Sequence, residues 1–321
     1  MFYECHMHIF MNGENYRAAA AHYKLGVDEA DIREKLATYA RAGVIYLRDG
    51  GDHYGASALA AKLAPEYGIT YRTPIFGIHK NGHYGKIVGR GFDTMKEYHQ
   101  LVREAGAAGA DFIKIMVSGI LDFEREGALT EGSLDREEIR EMIHIAHGEG
   151  FAVMAHTNGA DAVRAVIDAG VDSIEHGNFM DEDCLLALRE SRTIWVPTFV
   201  TIANLIGSGR YDDEALCRLK ERQGAIIRKG FQYGVKIAPG SDAGAYRVPH
   251  VQGIRDEYRE LYELCADLLN TDEKKCLQSA PFSSGVTKKG TGEPLVRMMQ
   301  EKFDRKMKDA AREIEARFRR E

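Results

Sequence analysis

The sequence has no C-x-x-C pair, no surplus of basic residues and no long apolar run, and each lack narrows what the chain can be. Its five cysteines, Cys5, Cys184, Cys217, Cys265 and Cys276, are odd in number and widely spaced. That argues against a disulfide framework and fits a reducing cytoplasm. Lys and Arg number 43 against 49 Asp and Glu, a formal net charge of −6, so no basic face is on offer to nucleic acid. No stretch approaches the roughly 20 apolar residues that cross a bilayer, and no partner membrane is expected. No basic region with an apolar run precedes Cys5, so no signal peptide is expected. A G-x-G-x-x-G after the first strand and a Walker-type glycine loop are both missing, and no repeat is short enough for a solenoid.

What is present alternates. A chain of 321 residues with 44% apolar content can hold one large α/β barrel or two ordinary domains. Short apolar runs read as strands at 2–8, 44–49, 69–78, 111–117, 151–156, 172–176, 193–199 and 235–242. Helix-like segments such as DEADIREKLATYARAG (28–43) and LDREEIREMIHIAHGEG (134–150) lie between them. Gly43, Gly68, Gly109, Gly150, Gly170 and Gly234 stand where each helix should close before the next strand. Strand–helix alternation of this kind over roughly 250 residues predicts a (β/α)8 TIM barrel at 1–270 rather than an open doubly wound sheet. Long segments after strands, 79–91, 118–133 and 198–211, should cover the barrel's C-terminal face, where this fold carries its sites. Beyond it, 281–294 reads as a Gly/Ser/Lys-rich connector within a second region, 271–321. Leu295, Met298, Met299, Phe303, Met307, Ala310, Ala311, Ile314 and Phe318 then recur at helical spacing, a C-terminal helical extension that packs on the barrel or on a partner subunit.

The chain opens MFYECHMHIF. On a strand, His6 and His8 share a face, so both imidazoles can reach one point, while Cys5 and Met7 should alternate away toward helices. Lys114 in DFIKIMVSG, His156 in FAVMAHTNG, His176 in DSIEHGNF and Asp242 in IAPGSDAG lie on or at the ends of the fourth, fifth, sixth and eighth strands. A single histidine at a strand end is commonly a hydrogen-bonded structural residue, and an aspartate there can cap a turn. A lysine inside an apolar strand must be paired, neutral or modified.

The ordered set His-x-His, Lys, His, His, Asp resembles the amidohydrolase superfamily, in its subtype with a binuclear metal centre bridged by a carboxylated lysine. AHGEGFAVMAHTNG, AGVDSIEHGNF, VPTF and PGSDAG are similar to the branch of imidazolonepropionase-like proteins and Xaa-Pro dipeptidases, over roughly residues 3 to 260. Most relatives also carry a small β-sandwich from segments flanking the barrel; this chain starts at the first strand, so the sandwich is expected to be lacking.

The resemblance implies two divalent metal ions, zinc first among those suited to imidazole and carboxylate ligands. His6, His8 and Asp242 would hold one and His156 and His176 the other. Lys114, as a CO2-derived carbamate, would bridge them. It further implies a metal-bridging hydroxide attacking a carbon–nitrogen bond of a small-molecule substrate, a dipeptide or N-acyl amino acid, with Asp242 as proton shuttle. A lactonase or esterase with the same centre is the alternative enzyme, and a non-catalytic binding protein derived from the enzyme the alternative of another class. For specificity the candidates are Arg48, which could fix a substrate carboxylate or pair with a barrel-end acid such as Asp49, then His79, His83 and Tyr84 in the third-strand loop, and Arg247 and His250 after the eighth strand. His144 and His147 read as helix-surface residues, and His22, His53 and His99 have no evident partner. A homo-oligomer is possible in this reading, and the location is cytoplasmic.

Overall fold

Every strand pair among the described residues is parallel, so strands that pair in succession need a crossover, and helices supply most of these. The computed structural model describes residues 2–125, 127–268 and 292–319. Its strands are β1 (Phe2–Met7), β2 (Val44–Asp49), β3 (Thr70–Arg72), β4 (Gly77–Lys80), β5 (Gly89–Phe92), β6 (Ile113–Met116), β7 (Val153–Thr157), β8 (Ser173–His176) and β9 (Ile194–Val196). They form one sheet in the order β1-β2-β3 and a second in the order β5-β4-β6-β7-β8-β9.

The α-helices are α1 (Tyr16–Tyr23), α2 (Glu29–Arg41), α3 (Ala56–Leu63), α4 (Met95–Ala107), α5 (Arg136–Gly148), α6 (Ala160–Asp168), α7 (Glu182–Glu190), α8 (Val200–Ala203), α9 (Asp213–Tyr233), α10 (Gln252–Cys265) and α11 (Gly292–Arg317). Six of these starts follow from side-chain chemistry. Asn15, Asp28, Asp135, Asp181 and Asp212 each accept from a backbone N–H of the first turn, and Thr94 with Glu97 completes a reciprocal capping box. Such a cap contributes ~1 kcal/mol. The six glycines expected to close helices all take positive φ, between 69° and 91°.

Three strands differ from their sequence reading. The third is broken: β3 pairs with β2 and β4 with β6, and between them Pro74 removes a donor while Ile75 sits at φ 65°. Asp111 N–H reaches Thr73 O at 2.9 Å across this junction. The loop expected at 79–91 contains β5, which pairs along β4. A Cβ on Gly89 would lie 2.5 Å from Gly77 O, so only glycine permits this approach. The eighth segment, 235–242, makes isolated bridges rather than a named strand. It still hydrogen-bonds on both sides, to Trp195 through Lys236 O and Ala238 N, and to β1 through Pro239 O. Pro239, without an N–H, breaks its ladder.

Two apolar clusters hold these layers. The larger joins the outer strand positions to the helices, including Ile32, Leu36, Tyr98, Ile143 and Leu185. The second gathers Tyr3, Cys5, Tyr46, Phe112, Met154 and Val196 with Ala311, Ile314 and Phe318 of the C-terminal region. Cys5 therefore does not follow Met7, which lies in the larger cluster, because the β1–β2 register shifts between Glu4 and Met7. From the predicted stripe, Phe303, Met307, Ala310, Ala311, Ile314 and Phe318 are buried on this same chain. The side chains of Leu295, Met298 and Met299, residues 281–291 of the expected connector, and Cys276 lie outside the described residues.

Candidate metal centre and its cavity

Parallel strands present their C-terminal ends together, and there the polar residues meet. His6 lies in β1 and His8 just beyond it; Lys114 is in β6, His156 in β7, and His176 ends β8. Asp242 is brought alongside by backbone bonds from its own N–H to His6 O at 2.7 Å and from His8 N–H to Ala243 O at 2.9 Å. His6 Nε2 and His8 Nε2 each stand 3.6 Å from Asp242 Oδ1, and the ligand-capable atoms of the three residues fall within 4.8 Å of one another. These distances are too long for hydrogen bonds. Donors about 2 Å from a common ion on a tetrahedron stand a little over 3 Å apart, so the spacing fits a metal. The His156 and His176 rings are 4.6 Å apart, with His176 5.1 Å from His6.

The imidazoles have one nitrogen committed. His6 Nδ1 donates to Glu175 Oε2 at 2.7 Å, and His8 Nδ1 to Gly51 O at 3.3 Å. His176 Nδ1 donates to Thr198 Oγ1 at 2.7 Å, since that hydroxyl gives its own proton to Pro197 O. Each leaves Nε2 as a lone pair. His156 Nε2 lies 3.3 Å from Gly119 O, which leaves Nδ1. Burial drives all four toward the neutral form: His8 and His156 are pushed down to about 3, and His6 and His176 well below the usual range. Neutral imidazoles oriented by a second partner are what metal ligation asks for. Glycine at position 50 makes room, because a Cβ there would lie 2.2 Å from His8 Cε1.

Lys114 is 1% exposed, and its side chain makes no hydrogen bond among the described residues. Burial pulls its ammonium down to about 8, against the attraction of Glu175 and Asp242. Asp242 is pushed up to about 7, chiefly by burial, with the Lys114 charge opposing. His176, Thr198 and Asp242 also take positive φ, at 70°, 48° and 59°. Non-glycine residues held there cost energy, and such strain concentrates at functional sites.

All six residues border a cavity of ≈ 660 Å³. The three long segments expected over this face line it, with His83, Tyr84 and Lys86 from one, Leu121 and Phe123 from the next, and Arg210 and Tyr211 from the third. Tyr84 stacks on His156 with centroids 4.8 Å apart. The other specificity candidates lie elsewhere. Arg48 is wholly buried and spends its donors on Cys5 O, Ser173 Oγ and Glu175 Oε1. It does not pair with Asp49, which accepts from Ile9 N, Gly51 N and the Tyr71 hydroxyl. His79 is turned back onto Lys80 O, the Arg247 side chain is exposed outside the cavity lining, and His250 is fixed between Tyr39 Oη and Met11 O. Glu175 was missed by the sequence reading, although a carboxylate inside an apolar strand raises the same question as Lys114. Tyr16, Arg210 and Tyr246 at the cavity carried no local signal.

No family model matches the chain. The crystal structure of a Xaa-Pro dipeptidase with bound methionine superposes with a TM-score of 0.67 at 22% identity, covering 92% of this chain and 75% of that one. A crystal structure of an amidohydrolase superposes with a TM-score of 0.65 at 22% identity, covering 85% and 74%. The chain has the amidohydrolase fold. Within it, β1, β6, β7, β8 and the 235–243 segment supply the polar cluster. By sequence, the chain is 29% identical over 160 residues to ochratoxinase of Aspergillus niger, 47% of this chain and 32% of that protein. It spans only 30–32% of the length of the curated relatives it matches.

Proposed function

We propose that the chain is a metal-dependent amidohydrolase that cleaves a carbon–nitrogen bond in a small molecule such as a dipeptide or N-acyl amino acid. The observation that carries this is the convergence of His6, His8 and Asp242 on one point beside a buried Lys114 and two neutral imidazoles. Likeness to a Xaa-Pro dipeptidase and to ochratoxinase supports an amide as substrate. The two sheets, joined by the 235–243 segment on one side and by the Thr73–Asp111 contact on the other, act as one TIM-type barrel. Unpaired cysteines among the described residues accord with a cytoplasmic location, and no helix there is long and apolar enough to cross a membrane.

His6, His8 and Asp242 would hold one divalent metal, and His156 and His176 a second. Zinc suits this donor set best. When bound, such metals polarise a carbonyl and make a water ionisable near neutral pH. Lys114, at about 8, keeps a share of neutral amine at physiological pH. A neutral amine adds CO2 and releases one proton, giving an anionic two-oxygen group that would lie between the two ligand sets. Asp242, at about 7, can take up a proton at its free carboxylate oxygen and return it to the departing nitrogen. Amide nitrogen leaves poorly unless protonated, so that transfer is where the residue counts. Tyr84, Phe123 and Tyr211 offer an apolar wall, and Lys86 and Arg210 offer positive charge for a substrate carboxylate.

Metal stoichiometry tests the reading. Wild-type protein grown with zinc and bicarbonate should hold about two metals per chain, and a Lys114→Ala variant far fewer. One metal or none in the wild type, with no response to Lys114, would sink the binuclear proposal.

A further inference from the structure

Three buried side chains, Phe318, Arg48 and Glu175, join the end of the C-terminal helix to His6, with Phe112 and Ser173 packed alongside. Phe318, one residue beyond α11, lays its ring over Arg48, with Cζ 4.6 Å from the centroid. Phe112 meets the Phe318 ring edge-on at 5.1 Å and stands 6.0 Å from Arg48 Cζ. Arg48 Nη2 donates to Glu175 Oε1 at 2.7 Å, and Ser173 Oγ adds a bond to the same oxygen. The other oxygen, Oε2, receives His6 Nδ1–H at 2.7 Å. Phe318, Arg48 and Glu175 are all 0% exposed.

An ion pair in a dry interior is stronger and more fixed than one that water can enter. The faces of a guanidinium are weakly hydrated and stack well on aromatic rings, so a ring shields it without competing for its N–H donors. With Arg48 so held, Glu175 has a fixed oxygen for His6. A histidine whose Nδ1–H is bound to a carboxylate presents Nε2 as its lone pair, here toward Asp242. Docking of α11 does not hang on Phe318 alone. Phe303 packs on Tyr258 and Tyr262, Lys236 pairs with Glu313 at 2.7 Å, and Arg317 donates to Asp172 O.

We propose that Phe318 is a positioning residue for the metal centre: by sealing the Arg48–Glu175 pair from water, it fixes His6 with Nδ1 protonated and Nε2 facing Asp242. The C-terminal helix is in this sense a working part of the site rather than a cover. The metal half of this inference rests on the proposed function; the imidazole half does not.

The test uses the full chain with Phe318→Leu, which keeps apolar volume but loses the ring face, and Phe318→Tyr, which keeps the face. Imidazole ¹⁵N NMR of the metal-free protein, with His6 assigned by a His6→Gln spectrum, reads the tautomer and the solvent exchange of Nδ1–H. Zinc affinity is read by competition with a chromophoric chelator. Phe318→Leu should speed Nδ1–H exchange at least tenfold and weaken zinc about tenfold, the lower end for loss of an outer partner of a ligand. Phe318→Tyr should stay within twofold on both. If Phe318→Leu lowers the melting temperature while exchange and zinc affinity stay at wild-type values, Phe318 is core packing only and the inference is overturned. Should Phe318→Leu not fold, Phe318→Met is read the same way. Wild-type protein that binds no zinc would overturn the proposed function, yet the exchange comparison would still decide this one.

Discussion

Replacing Lys114 by methionine should make the metal-free protein more stable and leave the metal-loaded protein with little or none of that gain. The ammonium is 1% exposed and has its pKa lowered from 10.5 to about 8, mainly by desolvation. At ~1.4 kcal/mol per pKa unit, the folded state bears a cost of about 3 kcal/mol for keeping that charge. The folded pKa is below the unfolded one, so the cost is fully present below pH 8 and is relieved as pH rises from 8 toward 10.5. Lys114→Met removes it and fills similar volume. Urea unfolding of chelator-stripped protein at pH 7 should show a gain of about 3 kcal/mol, and thermal scans a rise of about 5 °C. The gain should shrink above pH 8. With metal at a hundred times its dissociation constant, a ligand that binds only the folded state contributes about 2.7 kcal/mol. Loss of one bound metal should therefore cancel most of the gain or reverse it. If metal-free Lys114→Met is no more stable than wild type, the ammonium is compensated where it lies, and the case that Lys114 is kept for function fails.

Other changes test separate links. Gly50→Ala should drive a Cβ into the His8 ring, 2.2 Å from Cε1, and weaken metal binding 10- to 100-fold with the circular dichroism unchanged; unaltered affinity would mean His8 is not a ligand. Asp242→Asn should lower kcat for an amide substrate by about 10²–10⁴-fold, the usual worth of a general acid–base group, with bound substrate still detectable. His250 is pushed down to about 3 by burial, so its neutral form stabilises the fold fully above pH 6.5 and that contribution is lost as pH falls from 6.5 toward 3. His250→Gln should accordingly flatten the acid side of the stability profile by ~1.4 kcal/mol per pH unit, measured by urea unfolding between pH 4 and 7; parallel profiles for variant and wild type would count against it.

The parts of the fold that could be read from sequence are those fixed by nearest neighbours. Helix closures at Gly43, Gly109 and Gly170, and the alternation of apolar runs with amphipathic ones, depend on a few adjacent residues. The break at Pro74–Ile75 was less visible, because ITYRTPIFGI has strand composition throughout and only its partners, β2 on one side and β6 on the other, separate the halves. Strand β5 was hidden for the reverse reason. GRGF has poor strand composition, but its glycines let it lie against β4, an advantage that appears only when β4 is present.

The same division governs the site. His6, His8, Lys114, His156, His176 and Asp242 could be picked out because polar residues at the C-terminal ends of parallel strands gather at one edge, whatever their sequence distance from one another. Arg48 satisfies that description too, yet its donors end on Cys5, Ser173 and Glu175 instead of the cavity. The difference is depth. Arg48 is paired with Arg72 in the β2–β3 register, lies wholly buried outside the cavity lining and meets Phe318, whereas Lys114 borders the cavity and its side chain has charge partners but no hydrogen bond among the described residues. A buried cation with a saturated set of acceptors belongs to the scaffold, and one that faces open volume without them is available to chemistry. Strand-end position cannot separate the two, and a tally of acceptors around each buried charge can.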